Sequence, residues 1–238
     1  MMRYLLGFLK NLLRRGISPL ALVDTRSRIS RKARLYRFAK IVGSEIGDFS
    51  YVGPNSWVVD AEIGKFCSIA PNCKIGLAEH TTHFLSTSPI FTEARNGTGF
   101  SWTARNIVSP SKRVRVGNDV WIGERTLVLG GISIGNGAVI GAGAIVTKDV
   151  PACAIAAGVP AKIVRYRFDA ETIARLEKSA WWNLPEKELR AHIAAFQTED
   201  FRGSKILATP PRYSHELIFR RSRAGALPRP AAGERSAA

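Results

Sequence analysis

Aliphatic residues recur at every sixth position through the middle of the chain. The longest series is unbroken and comprises Val116, Ile122, Val128, Ile134, Ile140 and Val146, and a shorter series comprises Ile63, Ile69 and Ile75. A six-residue period is typical of a β-solenoid, in which each repeat forms one flat side of a coil and three repeats complete a turn. The pattern therefore predicts a mainly β fold, a hexapeptide solenoid with aliphatic side chains stacked inside it.

Two further positions of the repeat carry a consistent residue type. Glycine follows many of the aliphatic residues, and we expect it at corners where a Cβ would clash or φ would be unusual. The fourth residue after each aliphatic residue is small or apolar, as a second inward position requires. Cys67 and Cys73 fall at such positions. With Cys153 the chain has three cysteines, and no two of them have the close spacing of a metal-binding pair. The pattern predicts buried free thiols in a reducing compartment.

The period is broken at two places. Val52 and Ile63 are eleven residues apart instead of twelve, which predicts an irregular loop carrying Asn55, Trp57 and Asp60. The period then disappears between residues 77 and 115. A long loop within a compact repeat domain is usually functional.

These observations divide the chain into four segments. Residues 1–34 are predicted to form a basic amphipathic helix and a connector, and residues 35–165 the solenoid. Residues 166–202 are predicted to form a helical cap over the open end of the coil, with Asp169 as the N-cap of a helix to about Ala180 and a second helix from Leu184-Pro185. Residues 203–238 are rich in Pro, Arg, Ala and Ser and are expected to be weakly ordered.

The chain of 238 residues carries a formal net charge of +16, which we attribute to its two ends. Because no nucleic-acid-binding motif accompanies this charge, we expect no nucleic-acid partner. Apolar residues Leu5, Phe8, Leu9, Leu12 and Leu13 lie at helical spacing among basic residues. This helix could pack on the solenoid end or on a neighbouring subunit, bind a membrane surface through residues 1–15, or serve as a targeting peptide. We expect a cytoplasmic protein that could lie at the inner face of the membrane.

Several motifs resemble the hexapeptide-repeat acyltransferases, and most closely the xenobiotic acetyltransferase branch, which includes chloramphenicol and streptogramin acetyltransferases and related O-acetyltransferases of surface sugars. The resemblance covers about residues 46–196. It rests on residues 117–123 (GNDVWIG), 140–151 (IGAGAIVTKDVP), 157–161 (AGVPA) and 66–69 (FCSI), on His80 followed by Ser86-Thr87, Pro89 and Phe91, and on Trp181-Trp182.

The resemblance implies a left-handed parallel β-helix, an exception to the usual right-handed crossover. It also implies a homotrimer with active sites between subunits and acetyl-CoA in a groove between two coils, with no metal required. The implied reaction is direct transfer of an acetyl group to a hydroxyl of a sugar, a surface polysaccharide or a small xenobiotic, as in polysaccharide biosynthesis or antibiotic resistance.

The resemblance also implies roles for individual residues. His80 is the implied general base, since imidazole suits proton transfer near neutral pH, and His83 is a neighbour that shapes the pocket. The implied coenzyme contacts are Ala142, Thr147 and Lys148 in the groove, Lys162 and Arg165 near the adenosine phosphates, and Trp121 near the thioester. The acceptor candidates are Tyr51, Asn55, Asp60, His83 and Phe91. Alternatively, Lys148, Lys162 and Arg165 are ordinary exposed cations, and Trp121 serves only in packing.

Two other function classes stay open from the sequence. The same scaffold could transfer acetyl to the amine of a nucleotide-linked amino sugar. It could also be a non-acylating solenoid, either a metal-dependent hydratase of the carbonic anhydrase type or a structural trimer. A zinc site needs three ligands of suitable geometry, whereas the loop offers His80 and His83 alone.

Overall fold

The computed structural model describes residues 4, 6, 7, 11, 14–109 and 111–207. The described chain winds into a coil with three flat faces of short strands, and each strand pairs in parallel with the strand one turn away. Face one holds β1 (Leu22–Val23), β4 (Lys40–Val42), β7 (Trp57–Val59), β10 (Lys74–Leu77), β13 (Leu127–Leu129) and β16 (Ile145–Val146).

Face two holds β2 (Arg28–Ile29), β5 (Glu45–Ile46), β8 (Ala61–Ile63), β11 (Val114–Val116) and β14 (Ser133–Ile134). Face three holds β3 (Arg34–Leu35), β6 (Tyr51–Val52), β9 (Ser68–Ile69), β12 (Trp121–Ile122), β15 (Val139–Ile140) and β17 (Ala154–Ala157). It ends with the antiparallel strand β18 (Lys162–Tyr166). The predicted mainly β solenoid is therefore confirmed, and the arrangement is consistent with left-handed winding.

The core consists of the residues that the six-residue pattern marks as inward. Ile69, Ile122 and Ile140 lie in register on successive coils of face three and are each 0% exposed. Cys67 and Cys73 occupy the small inward position and are buried free thiols, as predicted. Burial raises the pKa of the Cys67 thiol to about 12, because a thiolate is poorly solvated inside the coil. The thiol therefore stays protonated near neutral pH.

Glycine at the corners is required by close contact between coils. A Cβ on Gly64 would lie 2.4 Å from the carbonyl oxygen of Gly117 on the next coil. The left-handed backbone conformation falls two residues later, at Phe66 (φ 59°) and at the equivalent Asn72 (φ 61°). Of the two reasons expected for the glycine, steric clash is therefore the one that applies at Gly64.

The coil begins well before residue 35, within the segment predicted as a connector. Ile17 bridges to Leu35 in parallel, and β1 and β2 pair with the strands one turn later. Ile17, Val23 and Ile29 keep the six-residue spacing, but Ser or Asp follows each of them, so the glycine signal is missing. Arg28 and Arg34 are thus outward residues of strands, and the positive charge is not confined to the chain ends.

The predicted irregular loop around Trp57 is wrong. Trp57 lies in β7 and pairs in register with Lys40 and Lys74. The missing residue shortens only the corner at Asp60, which adopts a left-handed φ of 46°. The coil continues through this corner, because Val58 and Ile63 both remain inward and buried.

The C-terminal cap begins with α1 (Ala170–Ser179), whose N-cap Asp169 accepts a hydrogen bond from the Thr172 backbone, as predicted. The second helix, α2 (Glu186–Ala191), is followed by a 3-10 helix at Ile193–Phe196. Three more 3-10 helices span Pro89–Phe91, Trp181–Asn183 and Lys205–Leu207.

The cap lies along one corner of the coil, the corner between faces two and three, and not over the open end as expected. Lys65 Nζ donates to the Trp182 carbonyl at 3.3 Å and to Asn183 at 3.1 Å. The Phe66 and Trp181 rings are 5.1 Å apart. These contacts reach coils well before the last one, because the corner offers aromatic residues at its left-handed positions.

The predicted N-terminal helix lies mostly outside the described residues. Tyr4, Leu6, Gly7 and Asn11 are helical, and a Cβ on Gly7 would lie 1.8 Å from the carbonyl oxygen of Val23. This side of the helix therefore packs on the first coil. The apolar residues Leu5, Phe8, Leu9, Leu12 and Leu13, and the tail from residue 208, are not described. Among the described helices, none has the length and apolar character needed to span a membrane.

Candidate active site

The long break in the period is a loop that leaves the coil at the corner between faces one and two. This excursion loop (residues 78–113) connects β10 to β11. It is organised by its own hydrogen bonds: the Asn96 side-chain amide donates to three carbonyl oxygens, those of Pro89, Glu93 and Phe100. The Trp102 amide donates to Ile90 at 2.9 Å. The loop therefore has a defined shape that can hold a functional side chain in place.

His80 lies near the start of this loop and is exposed. Its ring atom Nδ1 lies 2.9 Å from the carbonyl oxygen of Thr87. Because a carbonyl oxygen can only accept a hydrogen bond, this contact places the ring proton on Nδ1. In the neutral ring this leaves the lone pair on Nε2, directed away from the contact, which is the tautomer that a general base acting through Nε2 requires.

The two other predicted residues of the loop lie on its exposed surface. The His83 ring packs edge-on against Phe84, with ring centroids 4.8 Å apart. Phe91 packs edge-on against Trp102 at 5.1 Å and is 45% exposed. Several further large apolar residues of the loop are exposed, namely Leu85, Phe100, Trp102 and Ile107. The loop therefore presents exposed apolar side chains to its surroundings.

The predicted coenzyme and acceptor residues fall at three places on the coil. Asp60, Thr147 and Lys148 lie at the corner between faces one and two, where the excursion loop also leaves. Tyr51 and Trp121 lie on face three, in register with Ser68, and Arg165 pairs with Ile155 at the end of the same face. Asn55 and Ala142 lie at the corner between faces three and one, and Lys162 begins β18.

This distribution separates the imidazole from part of the predicted coenzyme groove. In a three-sided coil, the corner between two faces is opposite the third face. His80 and Lys148 therefore share one side of the molecule, whereas Trp121 and Tyr51 lie across the coil from them. Asp60, the loop that carries His80, and Thr147 and Lys148 thus follow β7, β10 and β16 at one corner, on coils up to three turns apart. One chain does not bring His80 together with the residues of face three.

The structure adds residues that sequence reasoning missed. The carboxylate of Asp60 accepts a hydrogen bond from Ser111 Oγ at 2.8 Å and lies 3.4 Å from Arg113 Nη1. Arg113 also binds Glu62 at 2.9 Å and Glu45 at 3.2 Å. These partners are 51 to 68 residues apart in sequence, and the motif pattern carries no signal for their contact. The Thr87 carbonyl was equally hidden, since a backbone acceptor does not depend on residue type.

A cavity of about 410 Å³ lies elsewhere, between the cap and the corner of faces two and three. It is lined by Asp119, Cys153 and Arg167 on the coil side and by Trp181 and Phe196 on the cap side. Arg167 pairs with Asp119 at 3.2 Å, and burial raises the pKa of that carboxyl group. Its lining includes no residue of the excursion loop and none of the predicted site residues, so we do not assign it to the site around His80.

No group of three or more His, Cys, Asp or Glu residues placed to hold a metal ion is present in the described part of the chain.

Comparison with known proteins places the repeat in a family. Residues 113–148 match the family described as bacterial transferase hexapeptide (six repeats). This segment carries the hexapeptide repeat described for bacterial transferases. Its relatives include a chloramphenicol acetyltransferase from Agrobacterium fabrum, 42% identical over 117 residues that make up 47% of this chain and 53% of that enzyme. A galactoside O-acetyltransferase from Escherichia coli K12 is 38% identical over 90 residues, which are 37% of this chain and 39% of that enzyme.

The chain therefore aligns with about half of the length of the first relative and with less of the second. Among solved structures, a mutant of AntD, an N-acyltransferase from Bacillus cereus, is similar with a TM-score of 0.51. That alignment covers 75% of this chain and 97% of that chain at 17% identity, so it supports the fold alone. Together the comparisons support the resemblance to hexapeptide-repeat xenobiotic acetyltransferases.

Proposed function

We propose that the protein is an acetyl-CoA-dependent O-acetyltransferase that moves an acetyl group directly to a hydroxyl of its acceptor. The observation that carries this proposal is the contact of His80 Nδ1 with the Thr87 carbonyl at 2.9 Å. It leaves Nε2 free to accept a proton from a hydroxyl. The matches to chloramphenicol and galactoside acetyltransferases supply the reaction class.

In the proposed reaction, His80 Nε2 accepts the hydroxyl proton as the acceptor oxygen attacks the thioester carbonyl carbon. The new carbon–oxygen bond forms, and the carbon–sulfur bond breaks as the tetrahedral intermediate collapses. The imidazolium then returns its proton to the departing thiolate. Direct transfer of this kind needs no covalent enzyme intermediate, and a positioned base typically contributes about 10²- to 10⁴-fold to the rate.

We propose that acetyl-CoA lies along the coil, with Ala142, Thr147 and Lys148 along its pantetheine and Trp121 near the thioester. Lys162 and Arg165 are proposed partners of the adenosine phosphates, since a cation pairs strongly with a phosphate. Lys148 is exposed, and all five residues of β18, which includes Lys162 and Arg165, are also exposed. All three cations are therefore accessible to a bound anion.

We further propose that the active site forms between copies of the chain in a homotrimer. His80 and Trp121 lie on opposite sides of one coil, so a single chain cannot present both to one coenzyme molecule. A threefold arrangement would bring the excursion loop of one copy to face three of the next. The exposed apolar residues of the loop, such as Leu85 and Phe100, support this arrangement because they would be covered by the neighbour.

The proposed acceptor is a sugar, a surface polysaccharide or a small xenobiotic. Tyr51 on face three and Phe91 on the loop are candidates to contact it, with Asn55 and His83 beside them. Tyr51 packs edge-on against Tyr36 at 6.1 Å and stays partly exposed, so an aromatic wall is accessible at this face. Such a wall suits the apolar faces of sugar rings and of drug-sized molecules.

The proposal is tested by measuring thiol release from acetyl-CoA with purified protein and a panel of acceptors. The panel contains chloramphenicol, galactosides, lipid-linked sugars and amino sugars, so that hydroxyl and amine acceptors are compared. We expect acceptor-dependent thiol release with a hydroxyl acceptor. Release with amino sugars alone would replace the proposal by N-acetylation, and the absence of release with every acceptor would contradict acetyl transfer.

A further inference from the structure

The two ends of the excursion loop are tied to the same corner of the coil. Where the loop leaves, the amide of Gly130 donates to the Leu77 carbonyl at 3.0 Å. Where it returns, the amide of Gly131 donates to the Lys112 carbonyl at 2.8 Å. Two neighbouring amides of one turn therefore hold both ends, and Lys112 also lies 3.3 Å from Glu79 across the base of the loop.

Glycine is required at this turn. Gly131 has a φ of 83°, and a Cβ there would lie 3.1 Å from the Cβ of Lys112. A Cβ on Gly130 would lie 3.0 Å from the Leu77 carbonyl oxygen. Any larger residue would therefore push against the end of the loop that it now holds.

Asp60 provides the second tie to the returning end. Asp60 lies at the same corner, one coil before the excursion loop. Its backbone carbonyl accepts a hydrogen bond from the Val114 amide at 3.0 Å. One carboxylate oxygen accepts from Ser111 Oγ at 2.8 Å, and the other lies 3.4 Å from Arg113 Nη1. Both oxygens of Asp60 are thus engaged by residues of the loop. A carboxylate held in this way is committed to its loop partners and is a poor candidate for direct acceptor contact.

We propose that Asp60 and Ser111 are positioning residues that fix the base of the excursion loop and thereby the place of His80 above the coil. This inference rests on the proposed function of His80. His80 is three residues beyond Leu77, where the loop leaves, so a shift of the loop base is transmitted to the imidazole over a short stretch of chain. A displacement of about 1 Å of a catalytic group can cost on the order of 10²-fold in rate.

The test compares Asp60→Asn, Ser111→Ala and Ser111→Thr with a matched control, Asp119→Asn. Asp119 also occupies a corner with left-handed φ (56°) and pairs with an arginine at 3.2 Å, but its partner Arg167 lies outside the loop. Turnover, the KM for acetyl-CoA and the KM for acceptor are measured for each variant. Hydrogen exchange of the loop amides provides a readout that does not depend on activity.

For Asp60→Asn and Ser111→Ala we expect turnover to fall about 10- to 100-fold and both KM values to stay within about twofold. The loop amides should exchange faster than in the wild type, while the coil amides exchange as before. Ser111→Thr keeps the hydroxyl and should retain turnover, as should Asp119→Asn. An increase in the acceptor KM with unchanged turnover would show that Asp60 binds the acceptor directly and would overturn the inference. Unchanged exchange of the loop amides would overturn it as well.

The two readouts separate this inference from the proposed function. If wild-type protein releases no thiol with any acceptor, acetyl transfer fails. In that case faster loop exchange in Asp60→Asn would still show that the loop base is held by this residue. If the wild type is active and the variants match it in turnover and in exchange, the positioning role alone is wrong.

Discussion

The coil and the excursion loop are built on opposite principles. In the coil, stability comes from repetition, since each inward aliphatic residue stacks on its equivalents one turn away and is nearly fully buried, as Ile122 is. In the loop, large apolar residues such as Leu85 and Trp102 point outward, and polar side chains such as Asn96 organise the backbone. The coil is thus a support built by repetition, while the proposed base lies in a segment that repetition does not specify.

The largest expected effect is on catalysis in the loop. His80→Ala should lower turnover about 10²- to 10⁴-fold, because the hydroxyl proton loses its acceptor. Affinity for coenzyme A should be unchanged, since the proposed role of His80 is toward the acceptor hydroxyl and the variant keeps every proposed coenzyme contact. Thiol release and calorimetric coenzyme titration measure the two quantities. Turnover equal to that of the wild type would remove His80 as the base.

A second prediction contrasts the stability of the two regions. Ile122→Ala should lower the free energy of unfolding by about 2–5 kcal/mol, because it leaves a cavity among residues that cannot close around it. Leu85→Ala, in the loop, is the matched control. It should lower stability by less than Ile122→Ala does, since Leu85 is fully exposed in the single chain and only a neighbouring copy would cover it. Urea unfolding measures both, and similar losses would contradict the division into support and loop.

The smallest expected effect concerns the buried thiol of Cys67. Its folded-state pKa of about 12 lies above the ordinary thiol value of 9.0, so between these values the unfolded chain loses a proton that the folded chain keeps. Stability should therefore fall as pH rises above about 9, by up to about 1.4 kcal/mol per pH unit from this group. Cys67→Ser removes this contribution.

At pH 7 the Cys67→Ser variant should be within about 1 kcal/mol of the wild type. Serine already fills the equivalent position at Ser50, where its hydroxyl donates to the Gly64 carbonyl. Unfolding in urea at pH 7 and at pH 10 measures the difference between the two proteins. Parallel pH dependence of the wild type and the variant would show that Cys67 does not titrate as its burial requires.

The sequence predicts the coil where successive turns repeat the same residue types. The period marked the inward residues from Ile63 to Ile75 and from Val116 to Val150 correctly, because stacking demands the same residue type on each turn. It missed the first coils, where Ile17 and Val23 lack a following glycine. The broken spacing also led to the wrong prediction of a loop near Asp60, where the corner is only one residue shorter. Spacing alone does not show that a corner can lose a residue.

The candidate site was less predictable. The histidine was marked by its place in a long aperiodic segment and by the resemblance of the residues around it. Its partner is a backbone carbonyl seven residues later, which does not depend on residue type, and the tie between Asp60 and Ser111 joins residues 51 positions apart. The cap was predicted to end at residue 202 over the open end of the coil, but Ile206 and Leu207 are buried within it and it lies along a corner. Whether it covers an end or a corner is decided by contacts such as the one between Lys65 and Trp182.

The central claim is that the active site joins the excursion loop of one copy to face three of another. It is tested most directly by mixing two inactive variants, His80→Ala and Trp121→Asp, the second placing a negative charge against an anionic coenzyme. Co-expressed in equal amounts in a trimer, they should restore about a quarter of wild-type thiol release, because one site in four pairs an intact loop with an intact face. No restored activity, with mixed trimers shown to form, would contradict the account.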